Sequence, residues 1–202
     1  MNWSKQIRTA WAAAAATALV LSANALGAAD KIALVPAGAS PRVSVAGTGN
    51  RGYRVVGTFR VNASSQVAWS VLTDYDNLSS FVSSMRSSSA ARPEAGRLLV
   101  TQEAVGRAGP FSRTFHIVLE VTEEPPGHIE FHDVCGASFQ SYVGAWAIDP
   151  DGAGARVTYT LEARPRSSLP FFVRSILASN ARGLLEQVRL EMLRRGRTAS
   201  AY

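Results

Sequence analysis

The chain has one cysteine, Cys135, in 202 residues. A single thiol excludes an internal disulfide framework and every zinc motif built on paired cysteines, so the fold must rest on its apolar core. Histidine is nearly as scarce. His116, His128 and His132 are the three, and with Glu130 nearby they still do not give the spacing of a metal site with three or more convergent ligands. No glycine-rich phosphate loop follows a strand pattern, and no nucleophile elbow is present. Lysine is almost missing, with Lys5 and Lys31 against 19 arginines, a bias of composition rather than the signature of a partner. The bases are scattered except for Arg189, Arg194, Arg195 and Arg197. That distribution speaks against nucleic-acid binding and fits a solvated chain end. No apolar run reaches the roughly 20 residues needed to span a bilayer.

What is present begins with a leader. Lys5 and Arg8 precede an almost unbroken apolar run, Ala10 to Ala23, and small residues follow at Ala23-Asn-Ala25 and Ala25-Leu-Gly27. This is the pattern of a secretory signal peptide over residues 1–27, and the expected location is exported, periplasmic or secreted. Losing Lys5 and Arg8 leaves 19 of the 21 bases against 15 acids, a net charge of +4. Residues 28–50 carry Gly, Pro, Ser and Ala without clear period and read as a flexible leader. The domain is expected over 51–196, with 197–202 as a tail. About 175 residues are enough to bury one core without staples.

Within the domain, Tyr53–Val61 alternates and is rich in Val, Phe and Tyr, which is strand chemistry. Val67, Val71 and Leu72 then form a helical stripe, with Ser64 or Ser65 placed to cap it. Thr73-Asp-Tyr-Asp-Asn77 breaks that helix through side chains that bond their own backbone. The same turn role accounts for Asp74 and Asp76 better than acid–base catalysis does. Leu78, Phe81, Val82 and Met85 restart the stripe as a second short helix, so the pair over 65–85 reads as a lid. Strands follow over 86–92 and 98–105. Phe111–Val121 alternates most cleanly, then come rows at Ile129 and Phe131, at Tyr142, Gly144, Trp146 and Ile148, and at Val157, Tyr159, Leu161 and Ala163. One-sided alternation of this kind predicts an antiparallel sheet with one wet face. A long helix is expected from Pro170 to Arg195, stopped by Gly196, with Val173, Leu177, Ala181, Leu184, Val188 and Met192 as its apolar stripe. Small residues at Gly144, Ala181 and Gly183 suggest a hollow between sheet and helix. Composition alone leaves a hollow sheet and a plugged one equal.

The order strand, two short helices, strands, long helix, together with particular residues, resembles a known family. The residues are Ala68-Trp-Ser-Val-Leu-Thr-Asp-Tyr-Asp-Asn-Leu-Ser-Ser-Phe-Val-Ser-Ser-Met85, Tyr142-Val-Gly-Ala-Trp146, Arg156-Val-Thr-Tyr-Thr-Leu161 and Pro170-Phe-Phe-Val173. Over roughly Arg51 to Arg195 the chain is similar to the START-like (SRPBCC) helix-grip proteins of the polyketide cyclase/dehydrase group, which includes coenzyme-Q-binding START proteins. The resemblance implies an α+β helix-grip fold, a curved antiparallel sheet wrapped around a long C-terminal helix, with two short helices after the first strand. It also implies a lipid, isoprenoid quinone or polyketide-like aromatic as ligand. The chain departs from the family at Ser83, where proline is frequent, which is expected to loosen the lid. An export signal departs from the pattern of a mitochondrial or cytosolic quinone chaperone.

Phe81, Met85, Phe115, Phe131, Tyr142, Trp146, Tyr159, Phe171 and Ile176 are expected to face the interior. Together they read as the wall of an apolar pocket, in which buried tyrosine hydroxyls need partners. The mouth is expected between Gly106–Phe111 and the N-terminal half of the long helix, ringed by Phe111, Phe171 and Phe172, with Arg107, Arg113 and Arg174 able to hold a head group. The function expected is binding, and possible transport, of a hydrophobic small molecule by a monomer that touches membrane transiently at most. No catalytic residue, metal or cofactor is assigned. The alternatives are a cyclase or dehydratase, with Tyr142 or Tyr159 as proton donor helped by an arginine, and an interaction protein with a filled core. Mass spectrometry of protein purified from its own host is expected to find an N-terminus between Leu26 and Asp30. Recovery of an intact Met1 form from the cytosol contradicts the export reading.

Overall fold

Alternating strands joined by short turns build most of the domain, and the computed structural model describes it over residues 39–49, 51–93, 96–108, 111–166 and 173–199. The expected signal peptide, the helix opening at Pro170 and the hinge at Gly109-Pro110 lie outside the described residues. In chain order the elements are β1 (Arg42–Thr48), β2 (Gly52–Val61), α1 (Ser65–Leu72), a 3-10 turn at Tyr75–Asn77 and α2 (Leu78–Phe81). Then come β3 (Met85–Ala91), β4 (Leu98–Ala108), β5 (Phe111–Glu124), β6 (His128–Asp133), β7 (Phe139–Asp151), β8 (Gly154–Pro165) and α3 (Val173–Ala199). The strands form one sheet in the order β1-β2-β8-β7-β6-β5-β4-β3, and each neighbouring pair is antiparallel. This is the helix-grip architecture expected from the sequence.

β1 corrects the reading of residues 28–50 as leader. It pairs with β2 from Arg42 opposite Thr58 to Thr48 opposite Gly52, and Val43 and Val45 pack against the core. Two valines in a Gly/Ser/Ala-rich stretch carry too little alternation to show this in sequence. The short helices therefore follow the second strand. α1 begins at Ser64, whose hydroxyl accepts from the Val67 N–H at 3.3 Å, and it buries Ala68, Val71 and Leu72.

α3 runs beyond the expected Arg195 end, to Ala199. Gly196 is no stop. It sits inside the helix against Ala63, where a Cβ would come within 3.1 Å of the Ala63 Cβ. On the inner face of α3, Leu185, Val188 and Met192 are fully buried and Ala181 nearly so, while Leu177 and Leu184 are half-buried. Leu185 was not in the expected stripe. It reaches the sheet at Gly57 of β2, where any Cβ would collide with its Cδ1. α3 packs chiefly on β1, β2 and β4, and α1 packs on α3, β7 and β8. The two ends of the sheet thus meet the helix, and α1 closes one end of the space between them.

That end is fastened by polar contacts. Arg195 of α3 pairs with Asp74 at 2.6 Å, donates to the Ser70 carbonyl at 3.3 Å, and lies 5.7 Å over the Phe81 ring. Gln187 donates to the Ser83 hydroxyl at 2.8 Å and accepts from the Ser83 N–H at 3.0 Å. Proline at 83 would lack both groups, so the departure from the family pattern tightens the lid instead of loosening it. Asp74 and Asp76 are structural: Asp74 accepts from Asn77 as well as Arg195, and Asp76 accepts from the Ala90 N–H at 2.7 Å.

Glu191 anchors the cluster. It is 8% exposed and accepts from Arg194 and from Arg195 at 2.6–2.7 Å. These hydrogen bonds, that of Arg194 foremost, outweigh its burial and hold the carboxyl down at about 2. A carboxylate with a depressed folded pKa contributes stability above its unfolded pKa of about 4.3, and that contribution is lost as pH falls toward the folded value. Glu191→Gln is expected to lower stability by about 1–3 kcal/mol at neutral pH and to flatten the fall in thermal midpoint between about pH 5 and pH 2. Parallel wild-type and variant pH profiles in thermal unfolding contradict this.

Candidate functional site

The middle strands of the sheet carry a continuous row of rings on the concave, helix-facing side. Cross-strand pairing sets it out: Trp146 of β7 lies opposite Tyr159 of β8 and Ile129 of β6, and Gly144 lies opposite Phe131 and Leu161. Ring centroids run Trp146–Tyr159 4.5 Å, Tyr159–Phe131 6.3 Å, Phe131–Tyr142 6.1 Å, Tyr142–Phe139 4.8 Å and Phe139–Phe115 5.4 Å. All are within the range of favourable offset or tilted aromatic pairs. Phe115, Phe131, Tyr142, Trp146 and Tyr159 are therefore brought together on one wall. Met85 adjoins it, since Met85 and Phe115 are both paired with Ala104. Phe81 stands at the closed end beneath Arg195. Phe171 and Phe172, and the side chains of Phe111 and Ile176, lie outside the described residues.

Burial along this wall is uneven. Phe131, Phe139 and Tyr159 are buried, whereas Phe81, Met85, Phe115, Tyr142 and Trp146 are only half-buried. The half-buried rings of Phe115, Tyr142 and Trp146 lie on β5 and β7, whereas among the described residues α3 packs chiefly on β1, β2 and β4. The small residues expected to make a hollow behave differently from one another. A Cβ on Gly144 would collide with the Phe131 ring, so that glycine seats a ring. Gly183 faces open space on the exposed side of α3, and only Ala181 is buried in the core.

Two tyrosines supply the polar chemistry of the wall. Burial raises the pKa of the Tyr142 phenol, a hydrogen bond from Tyr159 opposes that rise, and the charge of Asp133 adds to it. Tyr159 is raised further, by burial first and then by its interaction with Tyr142, to which it donates. Both phenols are protonated at neutral pH and offer neutral donors and acceptors in an apolar setting.

The three arginines expected at the mouth stand on three different elements, β4, β5 and α3. Arg113 lies 5.7 Å over the Phe115 ring. Arg174 reaches Gly47 on β1. Arg107 is exposed and follows Gly106, which faces the Phe115 ring and the Asn180 amide of α3, so alternation turns Arg107 to the other side. At Gly106 and Asn180 the strand and the helix come close together.

Phe139 escaped the sequence reading because the β7–β8 register shifts between Phe139 and Ser141, which breaks the two-residue period that finds Tyr142, Gly144 and Trp146. Ser88 and Gln102 were also missed: they share the concave face but are polar, and a search for apolar alternation passes over them. The outer face has its own cavity of about 630 Å³, floored by Val56, Val143 and Ala145 and edged by the Arg54–Glu162 ion pair and His132. A smaller one of about 410 Å³ lies beside α1, where the Tyr75 hydroxyl donates to Glu123 at 2.8 Å. Among the described residues no group of three or more His, Cys, Asp or Glu side chains is arranged to hold a metal ion.

Comparison with known proteins places this geometry. A family model described as polyketide cyclase / dehydrase and lipid transport matches residues 53–195. A protein of Thermus thermophilus is similar in structure at a TM-score of 0.58 and 20% identity, over 70% of this chain and 98% of that one. A STAR-related lipid transfer protein of Xanthomonas axonopodis gives 0.55 and 17% over 74% and 98%. The aromatase/cyclase Zhui of a Streptomyces species gives 0.57 and 17% over 71% and 95%. At these identities the likeness is one of fold. A comparison with curated proteins finds no match in sequence.

Proposed function

The chain belongs to the polyketide cyclase / dehydrase and lipid transport family, and from that premise we propose that it binds a hydrophobic small molecule between α3 and the concave face of the middle strands. The observation that carries this reading is the aromatic surface of Phe115, Tyr142 and Trp146 on the helix-facing side of the sheet, which packs on the core and is only half-buried. A ligand site is mostly apolar with few polar groups, and here those include two neutral phenols. The ligand classes in keeping with this wall are a lipid, an isoprenoid quinone or a polyketide-like aromatic. A cyclase or dehydratase reading draws on the Tyr159–Tyr142 hydrogen bond as a source of protons. Burial works against it, because efficient general acids have a pKa near the working pH and both phenols are shifted upward. The charged and apolar N-terminal pattern supports an exported, periplasmic or secreted location, and the proposal takes the protein as a monomer with transient membrane contact.

Native mass spectrometry with solvent extraction, on protein purified from its own host, is expected to find an apolar molecule retained. Trp146→Glu is expected to abolish that retention and the uptake of an apolar fluorescent probe. A folded Trp146→Glu protein that takes up the probe as well as the wild type does contradicts the reading.

A further inference from the structure

The concave face carries a polar pair that the aromatic wall does not explain. Ser88 of β3 lies directly opposite Gln102 of β4, and Gln102 opposite Ile117 of β5. Directly opposed residues point to the same face of a sheet. Ile117 is 4% exposed, and Val100, two residues from Gln102, is 0% exposed, which puts this row on the inner side. The next row toward the mouth is Met85, Ala104 and Phe115, so the pair adjoins the aromatic wall with only the small Ala104 side chain between them on β4.

Ser88 is 8% exposed, and its hydroxyl oxygen is buried with no hydrogen-bond partner in the protein. A buried polar group left unpaired costs about 1–3 kcal/mol, and native structures keep such groups for a reason. Gln102 adds two amide donors and a carbonyl acceptor beside it, half-buried on the same row. Neither group is charged. Glu103, next to Gln102 on β4, has the opposite alternation and pairs with the exposed Arg86.

We infer that Ser88 and Gln102 form a polar subsite that takes a hydroxyl or ketone oxygen of a neutral hydrophobic ligand. A ketone accepts from the Ser88 O–H and the Gln102 amide. A hydroxyl accepts from one and donates to the other. The subsite selects oxygenated neutral molecules over plain hydrocarbons, and it offers no countercharge to a carboxylate or phosphate. This inference rests on the ligand lying between α3 and the middle strands.

The matched probes pyrene and 1-hydroxypyrene test it by fluorescence titration of the full chain. Wild type is expected to bind 1-hydroxypyrene roughly tenfold more tightly than pyrene, the worth of one or two net hydrogen bonds. Ser88→Ala is expected to cut that ratio severalfold, and Ser88→Ala with Gln102→Leu to bring it near one, with pyrene affinity unchanged. Ser88→Ala removes only an unpaired hydroxyl, so its thermal midpoint is expected to stay at or above that of the wild type, which keeps this variant readable if the double one is unstable. A wild-type ratio near one, or a ratio unchanged in Ser88→Ala, overturns the subsite while leaving the binding reading in place. Uptake of neither probe by the wild type overturns the binding reading and the subsite together.

Discussion

One helix must cover a face that is too wide for it, and much of the structure follows from that mismatch. Eight strands about 4.8 Å apart make a sheet roughly 34 Å across when flat, whereas a helix with its side chains is about 10–12 Å wide. The sheet resolves this by bringing both its ends to the helix: α3 packs on β1 and β2 at one end and on β4 near the other. Gly57 lets Leu185 come down onto β2, and Gly106 of β4 leaves room for the Phe115 ring. The four strands between carry the row of rings from Phe115 to Trp146. Aliphatic residues fill the rows near the closed end, where Val71, Val157, Val188 and Met192 are fully buried. Rings line the remainder, and there the covering is incomplete.

The closed end shows how the chain spends its polar groups. Arg195, Asp74, Glu191, Gln187 and Ser83 join α3 to α1, the turn and α2 through partly buried charged and neutral hydrogen bonds. Such contacts are worth more than surface ion pairs because the groups are partly withdrawn from water and shared among several partners. The phenols of Tyr142 and Tyr159 and the Ser88–Gln102 pair are polar points on the same helix-facing side as the rings.

Strand alternation made much of this legible in the sequence. β5 and β8 show it best because each has one wet face and one buried face, and their inward rows match the buried residues Ile117, Leu119, Val121, Val157, Tyr159, Leu161 and Ala163. β1 was lost because its two valines sit among residues typical of loops. The end of α3 was misplaced because Gly196 looks like a helix stop, while its neighbour Ala63, distant in sequence, is what requires a small residue there. The same limit applies to Gly144, whose need for space comes from the Phe131 ring on the next strand. The aromatic members of the wall were readable one by one. Phe139 was hidden by the register shift. The Ser88 hydroxyl was hidden because only the fold shows that it is buried.

The central claim is that the space between α3 and the middle strands is left open for an apolar guest. Diffraction from crystals of ligand-stripped protein under xenon pressure tests it directly, since apolar cavities take up xenon. The claim predicts an ordered xenon atom beside Trp146 and Tyr142 on the concave side of the sheet. Crystals that bind no xenon there, with the rings of Phe115, Tyr142 and Trp146 packed directly against α3, would contradict it.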